Sequence, residues 1–129
     1  MTNLSISNEI RRFILNSIPS VSYLEAMLLM RSVKDHDWTV EELSKRLFIN
    51  ESATETILKQ LQGTGIIKMI NNEMPLYRYE PQTPELKNLI DQIAILYSSH
   101  LIEITNLIHS NIGKKAHKFA NAFIWRKDS

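Results

Sequence analysis

The sequence predicts a mainly α-helical protein with one two-stranded β-hairpin and a long helix near the C-terminus. Three observations predict this fold class. Apolar residues recur at helical spacing along most of the 129-residue chain. Residues 66–79 change to the spacing of two short strands around a polar turn. Neither glycine nor proline occurs between Pro84 and Ser110, so one helix can run through that stretch without interruption.

Composition excludes several classes of protein. The chain has no cysteine, so it can have neither a disulfide framework nor a thiolate metal site. Its N-terminus lacks a basic stretch followed by an apolar one, so we expect no signal peptide. No apolar run is long enough to span a bilayer. We therefore expect a cytoplasmic protein with two regions, residues 1–82 and residues 83–129.

Positive charge is concentrated at the C-terminus, although the formal net charge is only +1. The last sixteen residues hold five of the 15 basic residues and one of the 14 acidic ones, which leaves 10 basic against 13 acidic residues elsewhere. The body of the protein is therefore slightly acidic. Residues 114–129 form a basic tail, whose charged side chains are Lys114, Lys115, Lys118, Arg126, Lys127 and Asp128.

Two helices are predicted before residue 38. The first runs from about Ser7 to Ser17, with its apolar residues on one face, and Pro19 ends it. The second begins at Ser22. Ser22 and Glu25 have the spacing of a capping box, in which each side chain bonds a free backbone N–H group. The polar residues 34–37 then end this helix.

The third helix has the clearest predicted start. Thr39 and Glu42 have the spacing of another capping box, and Trp38 is placed to pack on Leu43 as a hydrophobic staple. A short break follows at residues 48–50. The spacing therefore predicts a helix that ends in a tight turn.

A fourth helix and a hairpin are predicted after this turn. Asn50 can cap a helix from about Glu51 to Gln62, which the glycines at positions 63 and 65 end. Residues 66–70 and 76–79 have the composition of strands, and residues 71–75 have that of a turn. The predicted order is helix, short turn, helix, glycine and hairpin.

The predicted fifth helix begins with Thr83 as its cap and Pro84 in its first turn, and it continues to about Ser110. At about 1.5 Å per residue it would be about 40 Å long. Its apolar residues repeat roughly every seven positions and so form a seam along one side of the helix, which His100 interrupts. A break at residues 111–113 precedes a last amphipathic helix over residues 114–127, which carries Ala116, Phe119, Ala120 and Phe123 on one side.

The apolar seam of the fifth helix has two interpretations. It can pack entirely on the N-terminal helices, or it can share in a dimer interface. Ile95 and Ile102 lie off the main seam, which widens the apolar surface and favours two partners. The residues that we expect at a dimer interface are Leu86, Leu89, Ile93, Leu96, Tyr97, Ile104 and Leu107.

The order of elements between residues 38 and 80 is that of a winged helix-turn-helix. Residues 38–47, the apolar positions of the fourth helix and Gly65-Ile66-Ile67 resemble the winged-helix core of MarR-type prokaryotic regulators. The resemblance covers about a third of the chain. It implies a bacterial transcriptional regulator that binds double-stranded DNA as a homodimer, with its terminal helices used for pairing.

The resemblance also implies a DNA-contacting surface. The second helix of a helix-turn-helix lies in the major groove, where serine, threonine and lysine can reach phosphates or base edges and glutamate can accept from cytosine N4. The residues expected there are Lys45 and Arg46 at the start of the motif, Ser52, Thr54, Glu55, Thr56 and Lys59 on the recognition helix, and Lys68 and Arg78 on the wing.

This surface is less basic than that of a strong DNA-binding protein. The fourth helix has no arginine, which makes the commonest contact to guanine, and the wing tip carries Glu73. Phosphate neutralisation dominates DNA affinity. An alternative is therefore a protein-interaction module, in which the acidic winged helix binds another protein or the basic tail binds an acidic partner or a membrane surface. A ligand-sensing regulator would need a cavity between the long helix and the winged helix.

The sequence does not indicate an enzyme or a bound cofactor. It has no nucleophile elbow, no glycine-rich phosphate loop and no convincing pair of carboxylates. His100 and Glu103 lie one helical turn apart, but a third metal ligand is not evident. We therefore predict no catalysis and no metal site.

Overall fold

The computed structural model describes residues 6–110. Its elements are α1 (Asn8–Ser17), α2 (Val21–Ser32), α3 (Val40–Leu47), α4 (Glu51–Gly63), β1 (Ile67–Asn71), β2 (Leu76–Tyr79) and α5 (Pro84–Ser99). A further helix, α6, starts at residue 101 and is still helical at residue 110. The predicted fold class is confirmed. The predicted break at residues 111–113 and the last helix over residues 114–127 lie outside the described residues.

Each of the first five helices begins at a polar residue with extended backbone. The side chain of that residue accepts a hydrogen bond from the backbone N–H three positions later, which would otherwise lack a partner inside the helix. The donor–acceptor distances lie between 2.7 and 3.2 Å. The five capping residues are Ser7, Ser20, Thr39, Asn50 and Thr83.

Two of the predicted capping interactions are wrong. Ser20, and not Ser22, caps α2, since it has the extended backbone that a cap requires and its hydroxyl accepts from the N–H of Tyr23 at 3.1 Å. At α3 the Thr39 hydroxyl does accept from the N–H of Glu42. The Glu42 carboxylate does not reach back to the cap, because Nε2 of His36 lies 2.9 Å from both of its oxygens.

A sharp corner separates α1 from α2. The two helices meet at a bend of 112°, with Pro19 in the connection, where a residue without a backbone N–H cannot continue the helix. Within residues 6–110, no single helix is long and apolar enough to cross a membrane, and only this bent pair reaches that length and composition.

The core is one cluster of side chains from all six helices and from β1. Trp38, at the start of α3, is 1% exposed and also pairs its backbone with Tyr77 of β2, at N–O distances of 2.8 and 2.9 Å. β2 therefore lies between β1 on one side and Trp38 on the other. This pairing attaches the hairpin, or wing, to the helix-turn-helix.

The prediction of one uninterrupted fifth helix is wrong, because the helix is broken at His100. The backbone of His100 leaves helical geometry at φ −125° and ψ 32°, and α6 starts at the next residue. The Ser99 hydroxyl donates a hydrogen bond to the carbonyl oxygen of Leu96. Serine and histidine are weak helix formers, and serine can bond the backbone in ways that compete with the helix. The sequence Ser98-Ser99-His100 therefore ends α5 without glycine or proline.

Candidate nucleic-acid interface

The turn between α3 and α4 depends on one residue in an unusual conformation. Phe48 has left-handed backbone angles, φ 57° and ψ 40°, and its side chain is 93% exposed. Asparagine and glycine adopt this geometry at lower cost than phenylalanine does. The sequence predicted only an apolar break at residues 48–50. It did not predict the left-handed turn, because glycine or asparagine usually marks one and position 48 is phenylalanine.

The recognition helix α4 has a buried face and a polar exposed face. Ile57, Leu58 and Leu61 are in the core, at 6% exposure or less. The opposite face is solvent-exposed and carries four of the five residues that were predicted on it: Ser52, Glu55, Thr56 and Lys59.

The fifth residue, Thr54, was placed wrongly. It is 0% exposed, and its hydroxyl donates to the carbonyl oxygen of Asn50 at 2.9 Å. Threonine can be buried inside an apolar helix face when the carbonyl four residues earlier accepts its hydroxyl. Thr54 is therefore a core residue and cannot contact DNA in this conformation.

The basic residues near α4 differ in how free they are. Nζ of Lys45 lies 3.1 Å from Oε1 of Glu41, one turn earlier on α3. The Arg46 guanidinium lies over the Trp38 ring, 5.8 Å from its centroid, which is a cation–π geometry. Lys59 is exposed and forms no ion pair with any residue from 6 to 110. All three cations remain on the surface.

The wing cations face each other across the hairpin, since Lys68 pairs with Arg78 in the strand register. Nε of Arg78 donates to Oδ1 of Asp37 at 2.7 Å, and this hydrogen bond, with the charge of Asp37, raises the pKa of the guanidinium. Arg78 therefore attaches the wing to the loop before α3. Lys68 is more exposed and lies 3.9 Å from the Glu80 carboxylate.

A groove of about 480 Å³ lies between the wing and the first turns of α3 and α4. We call it the wing groove. Its apolar lining includes Met74, which is 72% exposed. The residues that line it are Thr39, Val40, Glu41, Glu51, Glu55, Asn71, Glu73, Met74, Pro75 and Leu76. Four glutamates from three separate elements therefore meet on the face where a DNA-binding winged helix needs positive charge.

A second cavity, of about 490 Å³, is bordered by α2, the end of β2 and α5. Inside it Asp91 pairs with Arg31 at 2.9 Å and with Lys87 at 2.8 Å, and the Lys87 hydrogen bond contributes most to lowering the pKa of Asp91. The buried hydroxyl of Tyr79 has no hydrogen-bond partner within the described residues, and burial raises its pKa to about 12. This cavity lies at the position that the hypothesis of a ligand-sensing regulator requires, between α5 and the winged helix.

The predicted dimer seam packs largely on the chain itself. Ile93, Leu96 and Ile104 are at most 5% exposed in the core, which is the other interpretation that the sequence allowed. The other four residues of the seam are partly buried against the same core: Leu86, Leu89, Tyr97 and Leu107. The large apolar side chains that α5 and α6 leave exposed lie off this seam: Ile95 at 62%, Leu101 at 48% and Ile102 at 75%.

The pair of residues considered for a metal is occupied by protein contacts. Nδ1 of His100 lies 2.8 Å from the Ser99 hydroxyl, and Glu103 lies 3.3 Å from the Arg11 guanidinium. Among residues 6–110 no group of three or more histidine, cysteine, aspartate or glutamate side chains is arranged to hold a metal ion.

Comparison with known proteins identifies the fold through structure and not through sequence. No family model matches the chain, and no curated protein matches it either. A MarR family transcription regulator of known structure is 20% identical, with a TM-score of 0.53 over 95% of this chain and 81% of that one. The adhesin competence repressor AdcR of Streptococcus pyogenes is 15% identical, with a TM-score of 0.51 over 95% of this chain and 92% of that one.

A third similar structure is that of BpsR from Bordetella bronchiseptica, whose DNA binding is regulated by 6-hydroxynicotinic acid. It is 12% identical, with a TM-score of 0.52 over 92% of this chain and 84% of that one. The resemblance in the sequence is confirmed at the level of the fold: this chain has the winged helix-turn-helix fold found in MarR family transcription regulators.

Proposed function

We propose that this protein is a DNA-binding transcriptional regulator that reads double-stranded DNA with α4. The observation that carries the proposal is the position of α4. It is the second helix of a helix-turn-helix, and its polar face is exposed while its apolar face is buried. The second helix of this motif is the one that lies in the major groove. Two proteins of similar structure support the same role, since one is a MarR family transcription regulator and the other is the adhesin competence repressor AdcR.

In this proposal the DNA contacts come from exposed side chains. The Ser52 and Thr56 hydroxyls would contact phosphates or base edges, and the Glu55 carboxylate would accept from cytosine N4. The phosphate contacts come from exposed cations: Lys45, Arg46, Lys59 and Lys68. Thr54 is buried and Arg78 is hydrogen-bonded to Asp37, so we expect neither of them to contact DNA.

Replacing Arg46 and Lys59 together with alanine is expected to weaken DNA binding about tenfold or more at 0.1 M salt. The slope of log affinity against log salt concentration should become shallower by about two for each bound chain, since each phosphate contact contributes about one. Fluorescence anisotropy over a salt series measures both quantities. The DNA should include the region upstream of the protein's own coding sequence.

The matched control removes two cations elsewhere. Lys34 and Lys87 border the second cavity, so Lys34→Ala with Lys87→Ala should leave the salt slope unchanged. An equal loss of affinity in both double variants would reject α4 and its surroundings as the binding surface. If the unaltered protein does not retard DNA even at low salt, the winged helix is instead a protein-interaction module, which the glutamates of the wing groove would favour.

We infer that the regulator acts as a homodimer on a short inverted repeat. Each chain offers few free cations, and pairing doubles that number. Ile95, Leu101 and Ile102 are the exposed apolar side chains that α5 and α6 offer to a second copy, and Ile95 and Ile102 are the most exposed of them. Ile95→Glu with Ile102→Glu should reduce the mass in solution from twice 15.0 kDa to 15.0 kDa, measured by light scattering after gel filtration.

The control for this surface is Met74→Glu, because Met74 is 72% exposed but lies on the wing. That variant should keep the dimeric mass. A monomeric unaltered protein at micromolar concentration, or a dimeric Ile95/Ile102 double variant, would contradict the proposed interface.

A further inference from the structure

The wing groove has an apolar lining that the described protein leaves in water. Met74 is 72% exposed, and Val40, Pro75 and Leu76 line the groove with it. Methionine is flexible and polarisable, so it packs against side chains of many shapes and is frequent on surfaces that bind protein segments. A partner that covers this lining would release the water around it, which is favourable. The groove is therefore suited to a large apolar side chain of a partner.

The carboxylates of the wing groove differ in whether the fold itself accounts for them. Glu41 pairs with Lys45, and Glu51 lies in the first turn of α4, where negative charge stabilises a helix. Glu55 and Glu73 lie outside the first turn of a helix, and neither forms an ion pair within residues 6–110. Both line the groove together with its exposed apolar side chains. Charge complementarity therefore requires an occupant that is basic as well as apolar.

We propose that the wing groove binds a basic amphipathic segment of another protein, in which lysines or arginines flank a large apolar side chain. The apolar side chain packs on Met74, and the cations pair with the carboxylates of Glu51, Glu55 and Glu73. An arginine can bond both oxygens of a carboxylate, which adds geometric specificity. Covering the apolar lining also excludes water from around these charge pairs and strengthens them.

A basic protein segment fits this groove better than DNA does. Phosphates are negative, so the carboxylates of the groove repel them and attract lysine and arginine. Glu55 belongs both to the groove and to the exposed face of α4 that we assign to DNA. A bound segment would therefore compete with DNA for part of that face, a consequence that rests on the proposed function. The docking itself needs no DNA.

Titration of the isotope-enriched full-length protein with a synthetic peptide tests the docking in the absence of DNA. The peptide has a central pair of leucines flanked by lysines. Two comparison peptides replace either the leucines with serine or the lysines with glutamate. At low salt the lysine–leucine peptide should shift the amide signals of Glu73, Met74 and Leu76, which lie in the groove. Each comparison peptide should bind at least about tenfold more weakly, because it lacks one of the two required features.

Charge-neutralised variants identify the groove as the receptor. Glu51→Gln, Glu55→Gln and Glu73→Gln together should weaken binding of the lysine–leucine peptide about tenfold, the combined effect of three exposed charge pairs. The matched control neutralises three exposed glutamates elsewhere: Glu9, Glu25 and Glu85. It should bind the peptide within about twofold of the unaltered protein, since salt screens distant charges. All six side chains are exposed, so both variants should give the dispersed spectrum of the folded protein.

Met74→Ser tests the apolar part of the groove separately. The variant keeps all four glutamates of the groove and should weaken peptide binding about threefold or more, since it removes apolar surface that the leucines cover. Because Met74 is 72% exposed, the midpoint of urea denaturation should stay unchanged. Unchanged peptide affinity in this folded variant would contradict a role for the apolar lining.

Three further results would each overturn the proposal. The first is an absence of signal shifts at the wing groove when the lysine–leucine peptide is added. The second is equal weakening in the groove variant and its control. The third is equally tight binding of the peptide that lacks leucine, because the groove would then be only a charged surface for polycations. None of these measurements includes DNA, so a protein that binds the peptide in the groove but binds no DNA would reject the proposed function and support this docking.

Discussion

Replacing Trp38 with alanine is expected to lower the free energy of unfolding by about 3–5 kcal/mol, the cost typical of removing a large buried aromatic side chain. Trp38 is 1% exposed, and its backbone pairs with Tyr77 where the wing joins α3. The His36 ring packs edge-on at 4.6 Å between centroids. A domain of this size is typically stable by about 5–15 kcal/mol, so the variant should be close to unfolding. Urea denaturation followed by circular dichroism measures the change.

Phe48 offers the matched aromatic control. Its ring is 93% exposed and its backbone is left-handed, so Phe48→Ala removes almost no core contact and leaves the strained backbone in place. We expect a change of less than about 1 kcal/mol. A loss at position 48 as large as that at position 38 would show that the turn, and not the Trp38 contact, determines stability here.

Reversing the charge of the wing groove is expected to raise DNA affinity about 10- to 100-fold at 0.1 M salt. The variant carries Glu51→Lys, Glu55→Lys and Glu73→Lys, which replaces three groove carboxylates with cations on the proposed DNA face. Each additional phosphate contact steepens the salt dependence by about 0.9 in log units. Glu55→Lys also removes the proposed acceptor for cytosine N4, so the increase should be in sequence-independent affinity. It should therefore also occur on unrelated DNA, because phosphate contacts carry no sequence information. Anisotropy titrations on two DNA sequences measure it.

The control for charge reversal has the same net charge at other places. Glu9→Lys, Glu25→Lys and Glu85→Lys alter exposed residues outside the helix-turn-helix and the wing. We expect less than about a threefold increase in affinity from their longer-range attraction, since salt screens charges beyond about 10 Å. Equal increases in the two variants would mean that DNA does not approach the wing groove.

Local sequence signals predicted most of the fold because they act within a few residues. The caps at Thr39, Asn50 and Thr83 and the hairpin after the glycines were all predicted. The start of α2 was not, because Ser20 and Ser22 are equally good caps by residue type. The extended backbone beside Pro19 and the burial of Tyr23 favour Ser20.

The candidate site was less predictable, because a residue's type does not reveal its environment. Thr54 looked like a polar contact but is buried, with its hydroxyl satisfied one turn earlier on α4. Arg78 looked like a free wing cation but bonds Asp37, which is 41 residues away along the chain. The left-handed turn at Phe48 lacks the glycine or asparagine that commonly marks one.

The sequence by itself determined the order of helices and strands, the polar face of α4 and the uneven division of charge between the body and the tail. Helix caps, apolar periodicity and turn residues are sufficient for these features, since they operate over about four residues. Only the tertiary structure decided which cations stay free and where the glutamates gather. Glu41, Glu51 and Glu73 belong to three elements, and they share a groove only because the Trp38–Tyr77 pairing attaches the wing beside α3.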